Sequence, residues 1–107
     1  MIEIDVYVCP DGEITGFISR GHAGFAVDGS DIVCSAVSSA VYMVVNTVTD
    51  VLGLTPKVFY VDDGIMELEI EKKDAVIART IMRGLKIHLI DLEEQYSKYM
   101  RVSYMEV

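Results

Sequence analysis

One cysteine in the first third of the chain has the position that covalent catalysis requires. Cys34 follows Asp31 by three residues, at the predicted start of an apolar helix. Backbone N–H groups and the helix dipole at such a position stabilise a thiolate, the nucleophilic form of cysteine. The same N–H groups, with amides of the preceding segment, would hold the oxyanion of an acyl-transfer intermediate. Cys34 is therefore a candidate nucleophile.

A histidine lies 12 positions earlier, on a glycine-rich segment. His22 follows Gly21, and Gly24 and Gly29 lie further along a stretch that has neither a helical nor a strand period. Such a stretch predicts a mobile loop, which can fold back and place the imidazole of His22 beside the sulfur of Cys34. We also expect this loop to open for a substrate and to close over it, so the three glycines are candidate substrate-loop residues.

Asp31 has two possible roles, and the sequence leaves both open. Its carboxylate suits the N-cap of the helix that follows, because it accepts hydrogen bonds from the first turn. It could instead orient His22, as the third member of a protease triad does. Its negative charge would disfavour a thiolate at Cys34, whereas a neighbouring imidazolium would favour it.

A non-catalytic interpretation stands beside the catalytic one. Cysteines without disulfides are commonly buried in protein cores, so Cys34 could be structural and the chain a non-enzymatic protein-binding module. Cys9, which precedes Pro10 at a predicted turn, is interpreted as structural. His88, at the edge of the second helix's apolar face, is interpreted in the same way.

The elements that would position these residues follow the order ββαββαβ. Period-two alternation predicts a strand over 2–8, and the Pro10-Asp11-Gly12 turn predicts that 14–20 returns beside it as the second strand of a hairpin. An apolar stripe containing Val33, Val37, Val44, Val48 and Val51 predicts the first helix. Asp63-Gly64 predicts a hairpin joining strands 57–62 and 65–71. The second helix is predicted to begin near Asp74, with a final strand over 99–107. The fold class is therefore α+β, with two helices packed on a largely antiparallel sheet.

Composition limits the classes of function. The 107 residues, 51% of them apolar, predict one globular domain over 1–107, and the net charge of −8 argues against direct nucleic-acid binding. Two cysteines and two histidines, scattered along the chain, form no zinc motif, and we expect neither a metal nor a cofactor.

The N-terminus lacks the pattern of a signal peptide, so we expect a cytoplasmic protein with reduced thiols. The apolar stretch 32–52 carries a recurrent polar stripe and is interpreted as a buried helix, not a membrane span.

The segment 21–38, Gly-His-Ala-Gly-Phe through Gly-Ser-Asp-Ile-Val-Cys-Ser-Ala-Val-Ser, resembles the signature of the bacterial ribosomal-processing cysteine protease family (Prp). The histidine, the aspartate and the cysteine all have the family's separations. Chain length and element order agree with the family, so the resemblance covers essentially the whole chain. Ser35 stands where alanine is more usual.

The resemblance implies a cysteine endopeptidase with His22 as general base and Cys34 as nucleophile. It implies a homodimer that removes a short N-terminal extension from a large-subunit ribosomal protein, protein L twenty-seven. The cleaved peptide of the family is apolar around the cut and basic beyond it, which suits an acidic enzyme.

Overall fold

The chain folds into two helices packed on one face of a five-stranded sheet. The structure, a computed structural model, describes residues 1–21 and 30–107, with only the backbone at 30 and 31. The elements are β1 (Ile2–Val8), β2 (Ile14–Arg20), α1 (Ser30–Asn46), β3 (Val58–Asp62), β4 (Ile65–Glu69), α2 (Arg79–Gln95) and β5 (Met100–Glu106). Their order is the predicted ββαββαβ.

The strands lie in the order β3-β4-β2-β1-β5. The pairs β1–β2, β2–β4 and β3–β4 are antiparallel, and β1–β5 is parallel. The sheet is thus mixed and largely antiparallel, which confirms the predicted α+β class. Strands β3 and β5 form its two edges.

The core lies between the sheet and the helices. Alternate residues of β1, which include Ile2, Ile4 and Val6, face inward, as their period-two pattern predicts. Phe17 of β2 and Leu68 of β4 are paired and fully buried beside them. Residues that α1 contributes to the same core are Val33, Val37, Val41, Val44 and Val45, and the turn that follows the helix contributes Val48. Burial of these valines overrides their modest helix propensity.

The opposite face of the sheet carries a polar network. The hydroxyl of Tyr7 on β1 donates a hydrogen bond of 2.5 Å to Glu67 on β4, and so bridges the intervening β2. Burial and this hydrogen bond raise the pKa of Tyr7 above its ordinary value. Arg20 pairs with Asp5 on the same face. Glu67 is therefore a structural hydrogen-bond acceptor as well as part of a polar strand face.

Two predicted features differ from the structure. The second helix begins at Arg79, not near Asp74, because Lys72–Asp74 forms a 3₁₀ turn. The helical register therefore buries Ala78 and Met82, and Ile77 is exposed.

The end of the first helix differs in a similar way. α1 continues into a π-helical turn over Thr47–Val51, and Val51, predicted to lie on the apolar stripe, is exposed. Gly53 takes the positive φ, +67°, that a helix C-terminal cap requires.

The apolar composition of α1 is explained by packing. By length and composition alone, Ile32–Val51 could cross a membrane. In this fold six of its valines, from Val33 to Val48, lie in the core against the second helix and the sheet. The core position therefore accounts for these valines, whereas Ile32, Met43 and Val51 of the same stretch are exposed.

Candidate active site

Cys34 lies in a cleft at one end of the sheet, where β1 begins and β2 ends. The thiol side chain is half-buried and packs against the core from the second turn of α1. The cleft has a volume of about 180 Å³. Its lining residues are Ile2, Ser19, Gly21, Cys34, Val37, Ser38, Val41, Tyr42, Val61, Asp62, Gly64, Ile65 and Met66.

One wall of the cleft is a single face of α1. Ser38, Val41 and Tyr42 follow Cys34 by four, seven and eight residues, so they lie on its side of the helix. Side chains on a helix tilt toward its N-terminus, so the thiol of Cys34 points back toward the first turn. Because α1 begins at Ser30, the unpaired N–H groups belong to that first turn. Cys34 therefore lies one turn later than predicted, with its side chain directed at the helix start.

The second wall is the tip of the β3–β4 hairpin. Val61 and Ile65 supply apolar surface, and Asp62 supplies a carboxylate. The hydroxyl of Tyr60 donates to Oδ2 of Asp62 at 3.1 Å, and the backbone N–H of Asp63 donates to Oδ1 at 2.7 Å. These bonds fix the Asp62 side chain at the rim of the cleft.

Gly21 forms the corner where the chain leaves β2. Its φ of +89° is unfavourable for residues with a side chain, and an added Cβ would lie 2.5 Å from the carbonyl oxygen of Met1. Its N–H donates to the carbonyl of Gly64 at 2.7 Å, which ties the corner to the hairpin tip. Glycine is therefore required here by its positive φ and by the close approach of the Met1 carbonyl. The approach of Met1 depends on the tertiary structure, so the sequence alone could not indicate it.

The predicted site residues fall into two groups. The structure places Gly21 and Cys34 in one cleft. His22, Gly24 and Gly29 lie outside the described residues, so the catalytic pair and the proposed motion of the loop stay predictions. Asp31 is the second residue of α1, inside the first turn and not ahead of it, and its side chain lies outside the described part of the chain.

The remaining cysteine and histidine lie away from this cleft. Cys9 is buried at the turn that ends β1, about 20 Å along the strand from Ile2. His88 lies on the exposed side of a groove between α1 and α2. Within residues 1–21 and 30–107, no cluster of three or more His, Cys, Asp or Glu side chains has the geometry to hold a metal ion.

Sequence analysis missed most of the cleft lining. Helical spacing from Cys34 was the available signal for Ser38 and Tyr42. Nothing local indicated Val61, Asp62 and Ile65, because the hairpin reaches the cleft only through the pairing of β4 with β2.

Comparisons with known proteins agree with this architecture. Residues 1–101 match the family described as Cysteine protease Prp. The chain is 29% identical to the ribosomal processing cysteine protease Prp of Staphylococcus aureus (strain Mu50 / ATCC 700699), covering 97% of this chain and 99% of that protein. It is also 29% identical to the protein of that name from Bacillus subtilis (strain 168), covering 96% of each.

Solved structures show the same similarity. A crystal structure of the S. aureus Prp protease, described as an essential ribosomal processing protease, contains a covalently linked product peptide. It has a TM-score of 0.85 and 28% identity to this chain, and covers 98% of this chain and all of that one. A second structure of that protease, with a substrate peptide, has a TM-score of 0.86 and 27% identity over the same coverage.

Proposed function

The chain belongs to the Prp family of cysteine proteases, and from this premise we propose that it removes the N-terminal extension of a large-subunit ribosomal protein, protein L twenty-seven. In the proposal Cys34 is the nucleophile and His22 the general base. The observation that carries it is the position of Cys34 in a cleft that also contains Gly21, the residue that precedes His22 in the sequence. Family membership makes the chain an enzyme, so the interpretation as a non-enzymatic module with a structural Cys34 is set aside.

The proposed reaction is acyl transfer in two steps. His22 accepts the thiol proton as Sγ of Cys34 attacks the carbonyl carbon of the scissile peptide bond. The C–N bond breaks, the proton passes to the leaving amine, and the N-terminal fragment stays on Cys34 as a thioester. Water, deprotonated by His22, then hydrolyses the thioester and regenerates the thiol. The S. aureus relative with a covalently linked product peptide supports a covalent route.

N–H groups at the start of α1 are the proposed oxyanion donors. The helix begins four residues before Cys34, and its first N–H groups have no partner within the helix. The side chain of Cys34 is directed toward that turn, so an oxyanion formed on the attacked carbon would develop near these donors and the positive end of the helix dipole.

The cleft suits a large apolar side chain of the substrate. Its volume of about 180 Å³ is close to that of an apolar cavity of about 150 Å³ that holds benzene. Val37, Val41, Val61, Ile65 and Met66 supply an apolar lining. This agrees with the apolar residues that the family resemblance places around the cut.

Three further properties are proposed from the family resemblance and the composition. We expect a homodimer in the cytoplasm, and we expect Asp31 to act near His22 or on the helix start. With a net charge of −8, the enzyme would attract the basic sequence beyond the cut and would not bind nucleic acid directly.

The test is incubation of the enzyme with the ribosomal protein carrying its extension, followed by mass measurement of both fragments. The proposal expects one cut at the end of the extension, and no cut with folded Cys34→Ala protein. Absence of any cut by the native enzyme, with its fold intact, would overturn the assigned substrate. A cut by the Cys34→Ala protein would overturn the assigned nucleophile.

A further inference from the structure

The two edges of the sheet are protected very differently. At the β5 edge, the backbone N–H of Val102 donates to Oε2 of Glu93 on α2 at 2.6 Å. A side chain thereby satisfies a donor that another strand could otherwise pair with. Edge strands are commonly protected in this way, or by lysine, proline or charge.

The β3 edge has no comparable protection in the part of the chain that the structure describes. No strand among residues 1–21 and 30–107 pairs with β3 on its outer side. The strand sequence, Val-Phe-Tyr-Val-Asp, contains neither lysine nor proline. Its Phe59, Tyr60 and Val61 are 47–50% exposed. Among the described residues, this edge is therefore unpaired and largely apolar, with its one charged residue, Asp62, at the hairpin end, and it is well suited to pairing.

The hairpin register shows which backbone groups face outward. A two-residue turn, Asp63-Gly64, joins Asp62 and Ile65, so these two flanking residues form a hydrogen-bonded pair. Bonded and non-bonded pairs then alternate along an antiparallel ladder. The N–H and C=O groups of Phe59 and Val61 therefore point away from β4, toward the open edge.

The open edge is continuous with the catalytic cleft. Val61 and Asp62 belong to β3 and also line the cavity beside Cys34. The side chains of Phe59 and Val61 lie on the helix side of the sheet, because their partners Leu68 and Met66 are core residues. A chain added along β3 would therefore lead into the cleft, with alternate side chains on Phe59 and Val61.

We propose that one side of the substrate peptide binds by strand addition to the outer edge of β3, paired with the backbone of Phe59 and Val61. The occupant is the extended peptide itself, identified by the continuity of the edge with the Cys34 cleft. The inference rests on the proposed function and explains its substrate specificity. Main-chain hydrogen bonds to β3 supply affinity, and the apolar surface of β3 selects apolar side chains at every second position of the peptide. The exposed aromatic and valine side chains of β3 are the surface that this peptide covers.

The enzyme-side test compares Phe59→Pro with Phe59→Ala. Both variants lose the ring, but only proline removes the outward N–H, and proline is tolerated at an edge position of this kind. Phe59 is not among the residues that line the cleft. We expect kcat/KM for a long peptide to be roughly fivefold to tenfold lower in Phe59→Pro than in Phe59→Ala, the effect of one backbone hydrogen bond. Equal values in the two folded variants would overturn strand addition.

The substrate-side test needs no folded variant. Single N-methylation along the peptide should reduce cleavage by the native enzyme at alternate positions on one side of the cut, since alternate N–H groups would face β3. Uniform sensitivity, or none, would contradict the proposal. If the native enzyme cleaves no peptide, the proposed function itself fails.

Oligomeric state distinguishes the competing occupant of the edge. If Phe59→Pro, but not Phe59→Ala, converts a dimer to a monomer without peptide, a second copy of the chain occupies β3 and the proposal is overturned. An unchanged oligomeric state, with the loss of kcat/KM described above, supports the peptide.

Discussion

Two cysteines of this chain occupy opposite ends of the same sheet. Cys34 is half-buried in a cleft between α1 and the β3–β4 hairpin. Cys9 is 7% exposed and lies in a tight turn, where its N–H donates to the carbonyl of Glu13 at 2.8 Å. The two residues are not joined to each other by a disulfide.

The comparison indicates that access and local backbone, not residue type, would separate the proposed nucleophile Cys34 from the buried thiol of Cys9. A peptide carbonyl must reach the sulfur, and donors must face the oxyanion that forms. The cleft beside Cys34 provides space, and the start of α1 provides donors. Lys86 of α2 lines the shallow surface over Cys9, but the thiol itself is buried in the turn.

The largest expected contrast is in catalysis. Cys34→Ala should abolish cleavage, because no other group in the cleft can form the thioester. Its free energy of unfolding should fall by at most about 1–2 kcal/mol, since the lost atom is small and only half-buried. Mass spectrometry of the reaction and urea denaturation measure the two quantities. Cys9→Ala is the matched control and should cleave normally. Cleavage by folded Cys34→Ala protein would remove the distinction between the two thiols.

The second contrast concerns His22, the proposed general base for Cys34. His22→Ala should slow the chemical step by roughly two to four orders of magnitude, the usual contribution of a general base. Single-turnover cleavage measures this rate, and peptide affinity, measured on a Cys34→Ala background, should change far less.

The other histidine provides the control for that experiment. His88→Ala alters an exposed residue in the groove between the helices, outside the cleft, and should leave the rate unchanged. If His22→Ala weakened binding but cleaved bound peptide at the normal rate, His22 would be a contact residue and not the base.

Local sequence patterns predicted the elements more fully than the site. The alternation in 2–8 predicted β1 with the observed bounds, because its inward-facing apolar residues alternate with more polar ones. The Pro10-Asp11-Gly12 turn predicted β2 over 14–20, although this strand is buried on both faces and shows no alternation. The start of α2 was predicted too early, because Lys72–Asp74 forms a 3₁₀ turn and not the first turn of the α-helix. A 3₁₀ turn has three residues per turn, so it changes which of the following residues face the core.

The site depends on contacts between residues distant in sequence. Gly21 lies against the carbonyl of Met1 and donates to the carbonyl of Gly64, and the hairpin wall reaches the cleft through the pairing of β4 with β2. Such contacts follow from strand order, which the alternation of side chains does not encode. The motif around Cys34 was recognisable because its residues are close in sequence; the hairpin wall opposite was not.

A third contrast is chemical accessibility. In the folded protein, an alkylating reagent should modify Cys34 at least roughly 100-fold faster than Cys9, since Cys9 reacts only when its turn opens and such openings cost several kcal/mol. The single-cysteine variants Cys9→Ala and Cys34→Ala allow each rate to be measured alone by intact mass. In denaturant the two rates should converge. Equal rates in the folded state would show that the turn at Cys9 is already open.

The smallest expected effect tests whether the two ends of the sheet are independent. Cys9→Ala removes a buried sulfur and leaves a small cavity against the turn, which should lower the free energy of unfolding by about 1–2 kcal/mol. Cys34→Ala should cost less, because its side chain is more exposed. Urea denaturation of both variants, with native protein as reference, shows which substitution lowers the free energy of unfolding more.

The kcat/KM of Cys9→Ala should equal that of the native enzyme, because about 20 Å of β1 separates Cys9 from Ile2 at the cleft. A lower kcat/KM with unchanged stability would mean that the turn at Cys9 helps to position the cleft, and Cys9 would then need a role beyond packing.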